Sequence, residues 1–326
     1  MRPRSLRHRR RLGTLPILAI SILLLAAACG GSEDTGGGST TPSATESGMT
    51  SPTSGAVEVT KDETIAAEVP ADIAAKGTLI IATDATYAPN EFIAPGESAP
   101  QGMTVDLGHA IGTVLGLNFE FQNAGFDSII PGLSSGKYDI GMSSFTDTKE
   151  REQTVDFVTY FIAGTSFYTL ASGGPDVSGL DSLCGIAVGA ERGTTQADDA
   201  TAQSKKCTDA GQPAVELSVF PDQNGANLAL SSGRVEAVMA DSPVAAYAVQ
   251  QSGGQFTLSG TPYGTAPYGI AIPRPAGVAP GEAPMSQPVL DAVKKLIETG
   301  AYMQILEKWG VQDGGITDPV INGAVY

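Results

Sequence analysis

An α/β fold of two similar lobes is what this 326-residue chain predicts. Three observations carry that expectation. From Gly77 onward, short apolar runs of strand character alternate with amphipathic stretches of helical period. A ten-residue pattern, LSSGKYDIGM at Leu133–Met142, returns as LSSGRVEAVM at Leu230–Met239, an offset of 97 residues. The part of the chain able to fold, about 250 residues, suits two lobes of ordinary domain size. Ten residues are too few to prove a duplication, but each copy ends a helix at Ser-Ser-Gly, carries a basic then an acidic residue, and closes a strand on Met. Ser143 and Ser144 follow the first copy, Ala240 and Asp241 the second. One strand end is therefore hydroxylic and the other anionic.

The amino terminus reads as a targeting segment. Arg2, Arg4, Arg7, Arg9, Arg10 and Arg11 precede an apolar run from Leu15 to Ala28. That run is shorter than the roughly 20 apolar residues of a spanning helix and fits a signal peptide over 1–28. Leu25-Ala26-Ala27-Ala28-Cys29 resembles a bacterial lipoprotein box, which implies cleavage before Cys29 and lipidation of that residue. Simple secretion is the alternative. The stretch after Cys29 is Gly, Ser, Thr and Pro with few large apolar residues, so 29–67 is expected to be a flexible tether.

Loss of the leader changes the charge balance. The chain has 19 basic and 35 acidic residues; without the six leader arginines it has 13 against 35. A net charge of −22 argues against nucleic acid and against a basic membrane-binding face. Of three cysteines, Cys184 and Cys207 remain as a pair. They bond or stand as separate thiols, and an exported compartment favours the bond. Their spacing is not of zinc type, and His8 and His109 are the only histidines, so neither a metal nor a cofactor is expected.

The body is then read in order. Thr78 to Thr83, TLIIAT, is a buried strand running into a polar-aromatic loop over 84–91. Residues 106–115 form an amphipathic helix and 118–122 a strand. Phe126-Asp127-Ser128 opens a helix with Asp127 as N-cap. Tyr138 to Met142 is a strand, and Ser143, Ser144, Phe145 and Thr146 place hydroxyls and backbone N–H groups past its carboxyl end. A charged helix bearing Arg151 follows. Ligands in open α/β sheets sit outside the carboxyl ends of strands, and hydroxyls, amides and one guanidinium suit a small carboxylate. Residues 165–171 form a crossover and 185–188 a strand. Glu191-Arg192-Gly193-Thr194-Thr195-Gln196 opens a helix whose unpaired N–H groups attract anions. Then come a strand at 215–220, a helix at 222–231, a helix begun by Asp241-Ser242-Pro243, and a returning crossover at 269–272. Helices at 287–298 and 302–309 close the body, and 317–326 reads as an irregular tail.

Together these pieces resemble the extracellular solute-binding proteins of polar amino acid ABC importers (bacterial solute-binding protein family 3). The matching stretches are ATDATYAPNE, GMTVDLGHAIGTVLGL, FDSIIPGLSSGKYDIGMSS, TDTKERE, TVDF, GTTQ, MADSPVAAY, PYGIAIP and LEKWG. The resemblance runs from about Gly77 to Gly310. It implies a periplasmic-binding-protein-like fold of type II, with two α/β lobes, two crossover strands as hinge, and a ligand in the interlobe cleft. The lobes would divide as 68–166, 167–266 and a return over 267–326.

Carried over, the resemblance places the carboxylate-binding guanidinium at Arg151, the hydroxyl loop at Ser144 and Thr146, and second-lobe contacts at Thr194 and Thr195. It places the partner of the ligand's α-ammonium at Asp241 and aromatic walls at Tyr87 and Phe126. Asp84 would meet a polar or cationic ligand side chain. Two residues depart from the family pattern, Asn90 and Asp147, and an acidic pocket of Asp84, Asp147 and Asp241 would favour a polar or basic amino acid.

The expected function is therefore capture of an amino acid by lobe closure and delivery to an ABC permease in the cytoplasmic membrane. The protein would be a non-enzymatic monomer, lipid-anchored at the outer face of that membrane. Two alternatives stand beside this. One is a cyclohexadienyl or arogenate-type dehydratase on the same fold, for which Glu91, Asp147 and Glu191 are the only acids to nominate. The other is a ligand-sensing partner of a signalling receptor.

Overall fold

The computed structural model describes residues 58–326. The expected leader, Cys29 and the tether up to residue 57 lie outside the described residues. The tether was expected to reach residue 67, and here the structure corrects the sequence reading. Glu63–Ala66 is a short helix, α1, capped by the Asp62 carboxylate, which accepts the N–H groups of Thr64 and Ile65. Asp62 also pairs with Lys295 at 3.0 Å, and Val59 and Ile65 pack on the first core. Two apolar side chains at the right spacing suffice to dock a polar stretch that composition alone assigns to solvent.

After α1 come α2 (Ala71–Lys76), β1 (Thr78–Thr83), the hairpin β2 (Thr86–Tyr87) and β3 (Glu91–Phe92), α3 (Met103–Leu115), β4 (Asn118–Asn123), α4 (Phe126–Ser134) and β5 (Ile140–Gly141). The expected charged helix after β5 is only a single 3-10 turn, Arg151–Gln153. The crossover β6 (Val155–Leu170) leads to β7 (Ala187–Glu191), α5 (Thr195–Asp209), β8 (Glu216–Phe220), α6 (Gln223–Ser231), β9 (Ala237–Asp241) and α7 (Ser242–Gln251). The return strand β10 (Phe256–Pro273), α8 (Ser286–Thr299) and α9 (Ala301–Trp309) complete the order.

One eight-stranded sheet runs β4-β1-β5-β10-β6-β9-β7-β8. Its outer thirds are parallel, and β10 and β6 form an antiparallel seam between them. The apolar faces of α3, α8 and α9 bury one core against β1, β4 and the near ends of the crossovers, with Ile81, Leu107, Tyr160, Ile270 and Val293 at its centre. A second pair of cores lies around α5, α6 and α7, with Phe167, Tyr168, Leu230 and Val238 inside. These are two lobes joined by two long strands, the architecture the sequence predicts. The β6–β10 ladder breaks register between Ser259 and Tyr263, between Tyr263 and Ala266, and between Tyr268 and Gly269. Both expected crossovers are longer than the sequence indicated, because their apolar content continues into each lobe.

Cys184 and Cys207 are bonded, tying the stretch before β7 to α5. The tail after Gly315 is irregular, as expected, but paired. Ile321 bridges Val158, Asn322 donates its backbone N–H to the Phe157 carbonyl at 2.8 Å, and Thr159 donates to the Val320 carbonyl at 2.9 Å.

Candidate functional site

The carboxyl ends of β1, β5, β7 and β9 converge on the gap between the lobes, where the chain leaves each strand and strand-end groups are free to face a ligand. Asp84 follows β1, Ser143 and Ser144 follow β5, Glu191 ends β7 and Asp241 ends β9. The N-termini of α4 and α5 add Phe126 and the Thr194-Thr195-Gln196 run. All nine residues singled out from sequence line one cavity, namely Asp84, Tyr87, Phe126, Ser144, Thr146, Arg151, Thr194, Thr195 and Asp241. Ser143, Glu191 and Gln196 complete its wall.

Arg151 lies against the stacked rings of Phe126 and Phe145, whose centroids are 4.6 Å apart, with its guanidinium carbon 5.4 and 5.6 Å from them. It donates to the Thr146 carbonyl at 2.8 Å and to the Gly193 carbonyl at 2.9 Å. Among the described residues it joins no ion pair. Burial lowers its pKa, opposed by the charges of Asp241 and Asp198. A stacked cation without a carboxylate partner is a seat for an incoming anion.

Asp241 is the opposite pole. Gln196 Nε2 donates to its Oδ1 at 2.7 Å, and its own backbone N–H donates to the Tyr87 hydroxyl at 3.0 Å. Burial pushes its carboxyl up to about 6, against the hydrogen bonds from Tyr268, Tyr87 and Gln196 and the charge of Arg151. Gln196 also bonds Thr165 at 2.9 Å, so its amide orients the acid from the hinge strand.

The remaining wall is acidic. Asp84 accepts from the Thr86 hydroxyl at 2.7 Å and from the Phe126 N–H at 2.9 Å. Its backbone N–H donates to Ser143 Oγ at 2.8 Å. Burial raises its pKa. Glu191 is raised well above the usual carboxylate range, by burial first and then by Asp84. Thr194 caps α5, its hydroxyl donating to the Glu191 carbonyl at 2.7 Å and accepting the Ala197 N–H at 3.3 Å. Thr195 begins that helix, at the positive end of its dipole, and lines the cavity.

Contacts across the gap show the lobes drawn together. Besides Tyr87 with Asp241 and Arg151 with Gly193, the Gln223 N–H donates to the Thr86 hydroxyl at 3.3 Å. Asp127 pairs with Arg192 at 3.2 Å. This last contact corrects the expectation for Asp127. Gly125 occupies the N-cap position of α4, and Asp127 in the first turn reaches the other lobe instead.

Two further expectations shift. Asp147 does not line the cavity; it is fully buried and accepts the Gly323 N–H at 2.7 Å, pinning the tail. Burial and then the charge of Glu152 push it up to about 7. The acidic wall is thus Asp84, Glu191 and Asp241, without Asp147. Asn90 is also fully buried and donates to Ser144 Oγ at 3.0 Å. That bond helps hold Ser144 at φ 49°, a backbone region uncommon for a residue with a side chain. Asn90 therefore shapes the hydroxyl loop from behind. Gln196 and Glu191 are the wall residues that sequence reasoning did not assign to the ligand. Their signal was positional, at the end of an apolar strand and in the first turn of the helix after it.

Comparison with known proteins places the chain in a family. The family model for bacterial extracellular solute-binding proteins, family 3, matches residues 79–312. The chain is 32% identical over 259 residues to the arginine-binding protein ArgT of Corynebacterium glutamicum, covering 79% of this chain and 82% of that protein. Among solved structures it is similar to an ancestral arginine-binding protein bound to arginine, at 34% identity and a TM-score of 0.63, covering 72% of this chain and 98% of that one. It is also similar to the ancestral amino acid-binding protein AncCDT-1, a precursor of cyclohexadienyl dehydratase, at 29% identity and a TM-score of 0.61, covering 73% and 97%. With its strand-end cleft between two lobes and a match over most of its length, the chain belongs to the bacterial extracellular solute-binding proteins of family 3.

Proposed function

We propose that this protein captures a polar or basic amino acid between its lobes and delivers it to an ABC permease, while tethered through a lipidated Cys29 to the outer face of the cytoplasmic membrane. The observation that carries the reading is that Arg151 and Asp241, from opposite lobes, line one cavity. A zwitterion needs a cation for its carboxylate, an anion for its ammonium, and exclusion of water around both. Ser144, Thr146, Thr194 and Thr195 supply hydroxyls and helix-start N–H groups beside Arg151, and Tyr87 and Phe126 wall the ligand's carbon skeleton. The relatives' names, which include arginine binding, support an amino acid as ligand. Among the described residues no helix is long and apolar enough to cross a membrane, and no His, Cys, Asp and Glu cluster suits a metal. Mass spectrometry of ligand released from the purified protein, followed by calorimetric titration across the amino acids, tests the reading. Absence of binding to any amino acid would reject it.

The likeness to a dehydratase precursor gives the enzymatic alternative its one support. Of the three acids nominated for it, Glu191 lines the cavity, whereas Glu91 and Asp147 do not. Incubation with prephenate or arogenate is expected to yield no product.

A further inference from the structure

Arg151 and Asp241 account for the two poles of a zwitterion, and the cavity still holds two more acids. Asp84 and Glu191 line the same wall at 3% and 2% exposure and come from different lobes, one after β1 and the other at the end of β7. Asp84 is served by the Thr86 hydroxyl and the Phe126 N–H. Glu191 Oε1 is buried with no hydrogen-bond partner among the described residues. No ion pair among them reaches either acid, and Arg192, next to Glu191, turns away to Asp127. The other groups acting on the pair include two more acids, Asp222 at the start of α6 and Glu91 behind Ser144, while the Tyr87 and Tyr168 hydroxyls feel Glu191 and Arg151 lines the same cavity. A buried acid oxygen left without a donor calls for one, and here the ligand is the group able to bring it.

We infer that Asp84 and Glu191 form one seat, half from each lobe, for a cationic side chain, so that the ligand is a basic amino acid and Glu191 is a residue that sets this preference. The inference rests on the reading of the cleft as an amino acid site. With no cation beside them, two neighbouring carboxyls this deep hold a proton between them, because burial and mutual repulsion oppose a second negative charge. Burial and the neighbouring Asp84 mark Glu191 as the one that keeps it. A guanidinium or ammonium reverses that balance. Glu191 releases its proton to solvent, and the resulting carboxylate accepts N–H bonds from the cation alongside Asp84. The cation therefore also joins the lobes, whereas an uncharged side chain leaves two acids face to face.

L-arginine and L-citrulline separate this from the coarser reading, since they match in shape and differ in charge. Both are titrated calorimetrically into the full protein in buffers of different ionisation enthalpy. The wild type is expected to favour arginine about a hundredfold and to release about one proton with it at neutral pH, but none with citrulline. Glu191→Gln is expected to cut the arginine-to-citrulline ratio about tenfold to a hundredfold and to remove the proton release. Asp84→Asn serves as the second variant and should lower the same ratio. Thermal melting and circular dichroism identify the folded variants on which the ratios are read. An unchanged ratio and proton count in folded Glu191→Gln would overturn the inference. A wild type that binds citrulline or glutamine as tightly as arginine overturns it too, but leaves the amino acid reading standing. Binding to none of these ligands rejects both.

Discussion

The two copies of the Ser-Ser-Gly pattern fold alike and end differently. In each, a glycine past the helix end takes a left-handed conformation, φ 74° at Gly136 and 69° at Gly233, reversing the chain into a strand. Lys137 donates its N–H to the Gly132 carbonyl at 2.9 Å, and Arg234 to the Ala229 carbonyl at 2.8 Å. Both basic side chains lie over a ring, Tyr138 and Phe220. Asp139 accepts the N–H of Ile80 in β1, and Glu236 that of Ala187 in β7. β5 pairs parallel with β1 and antiparallel with β10; β9 does the same with β7 and β6. One frame is used twice, yet it delivers hydroxyls at one tip and a buried carboxylate at the other. The frame sets position, and the two residues after it set polarity, which is how a pseudo-symmetric molecule can grip an asymmetric ligand.

The strongest way to break this comparison is to remove a pole. Arg151→Ala is expected to weaken amino acid binding by about 3–5 kcal/mol, two to nearly four decades in Kd, with melting close to wild type. A calorimetric titration matching wild type would refute the assigned polarity of the first tip. Asp241→Asn attacks the second and should approach the same loss. It also carries a pH signature. Burial pushes the Asp241 carboxyl up to about 6, and only its ionised form pairs with an ammonium. Affinity should fall as pH drops through that value in wild type, and this step should vanish in Asp241→Asn. A pH-flat wild-type affinity would contradict the assignment.

The lobes also differ in bracing. The second carries the Cys184–Cys207 bond, whose partners are 23 residues apart, and the chain-entropy model gives such a loop about 3 kcal/mol. Cys184→Ser paired with Cys207→Ser should lower the melting temperature and make it insensitive to reductant. Equal melting with and without reductant in wild type would show the bond to be dispensable. The smallest effect tests the frame itself. Asp139→Ala and Glu236→Ala should each cost about 1 kcal/mol in denaturant unfolding. Asp139 should cost slightly more, because it also holds Lys76 in a part-exposed pair at 2.6 Å. A large inequality would argue that the two copies are not structural equivalents.

What could be read from sequence follows the range of the interactions. The repeated turns are local, so glycine, the strand and the residue just past it were legible, and with them Ser144 and Asp241. Arg151 was legible because a lone guanidinium close after a hydroxylic strand end has few other uses. Asp127 was misread because its partner, Arg192, belongs to the other lobe. Asp147 was placed in the cleft because nothing nearby in the chain announces Gly323, 176 residues on, as the group that claims it. The tether was drawn too long for a similar reason, since the Lys295 that pairs with Asp62 lies in α8.

The interrupted β6–β10 ladder has a mechanical consequence. A seam whose register already shifts three times between Ser259 and Gly269 can flex there without tearing the sheet, so admitting a ligand takes a few backbone rotations rather than the loss of a strand. Gly164 sits at that seam, and a methyl group on it would lie 2.8 Å from the Tyr263 carbonyl oxygen. The bare backbone at this position lets the two ribbons nest, and a bulkier residue would wedge them apart and bias the molecule toward its gaping form.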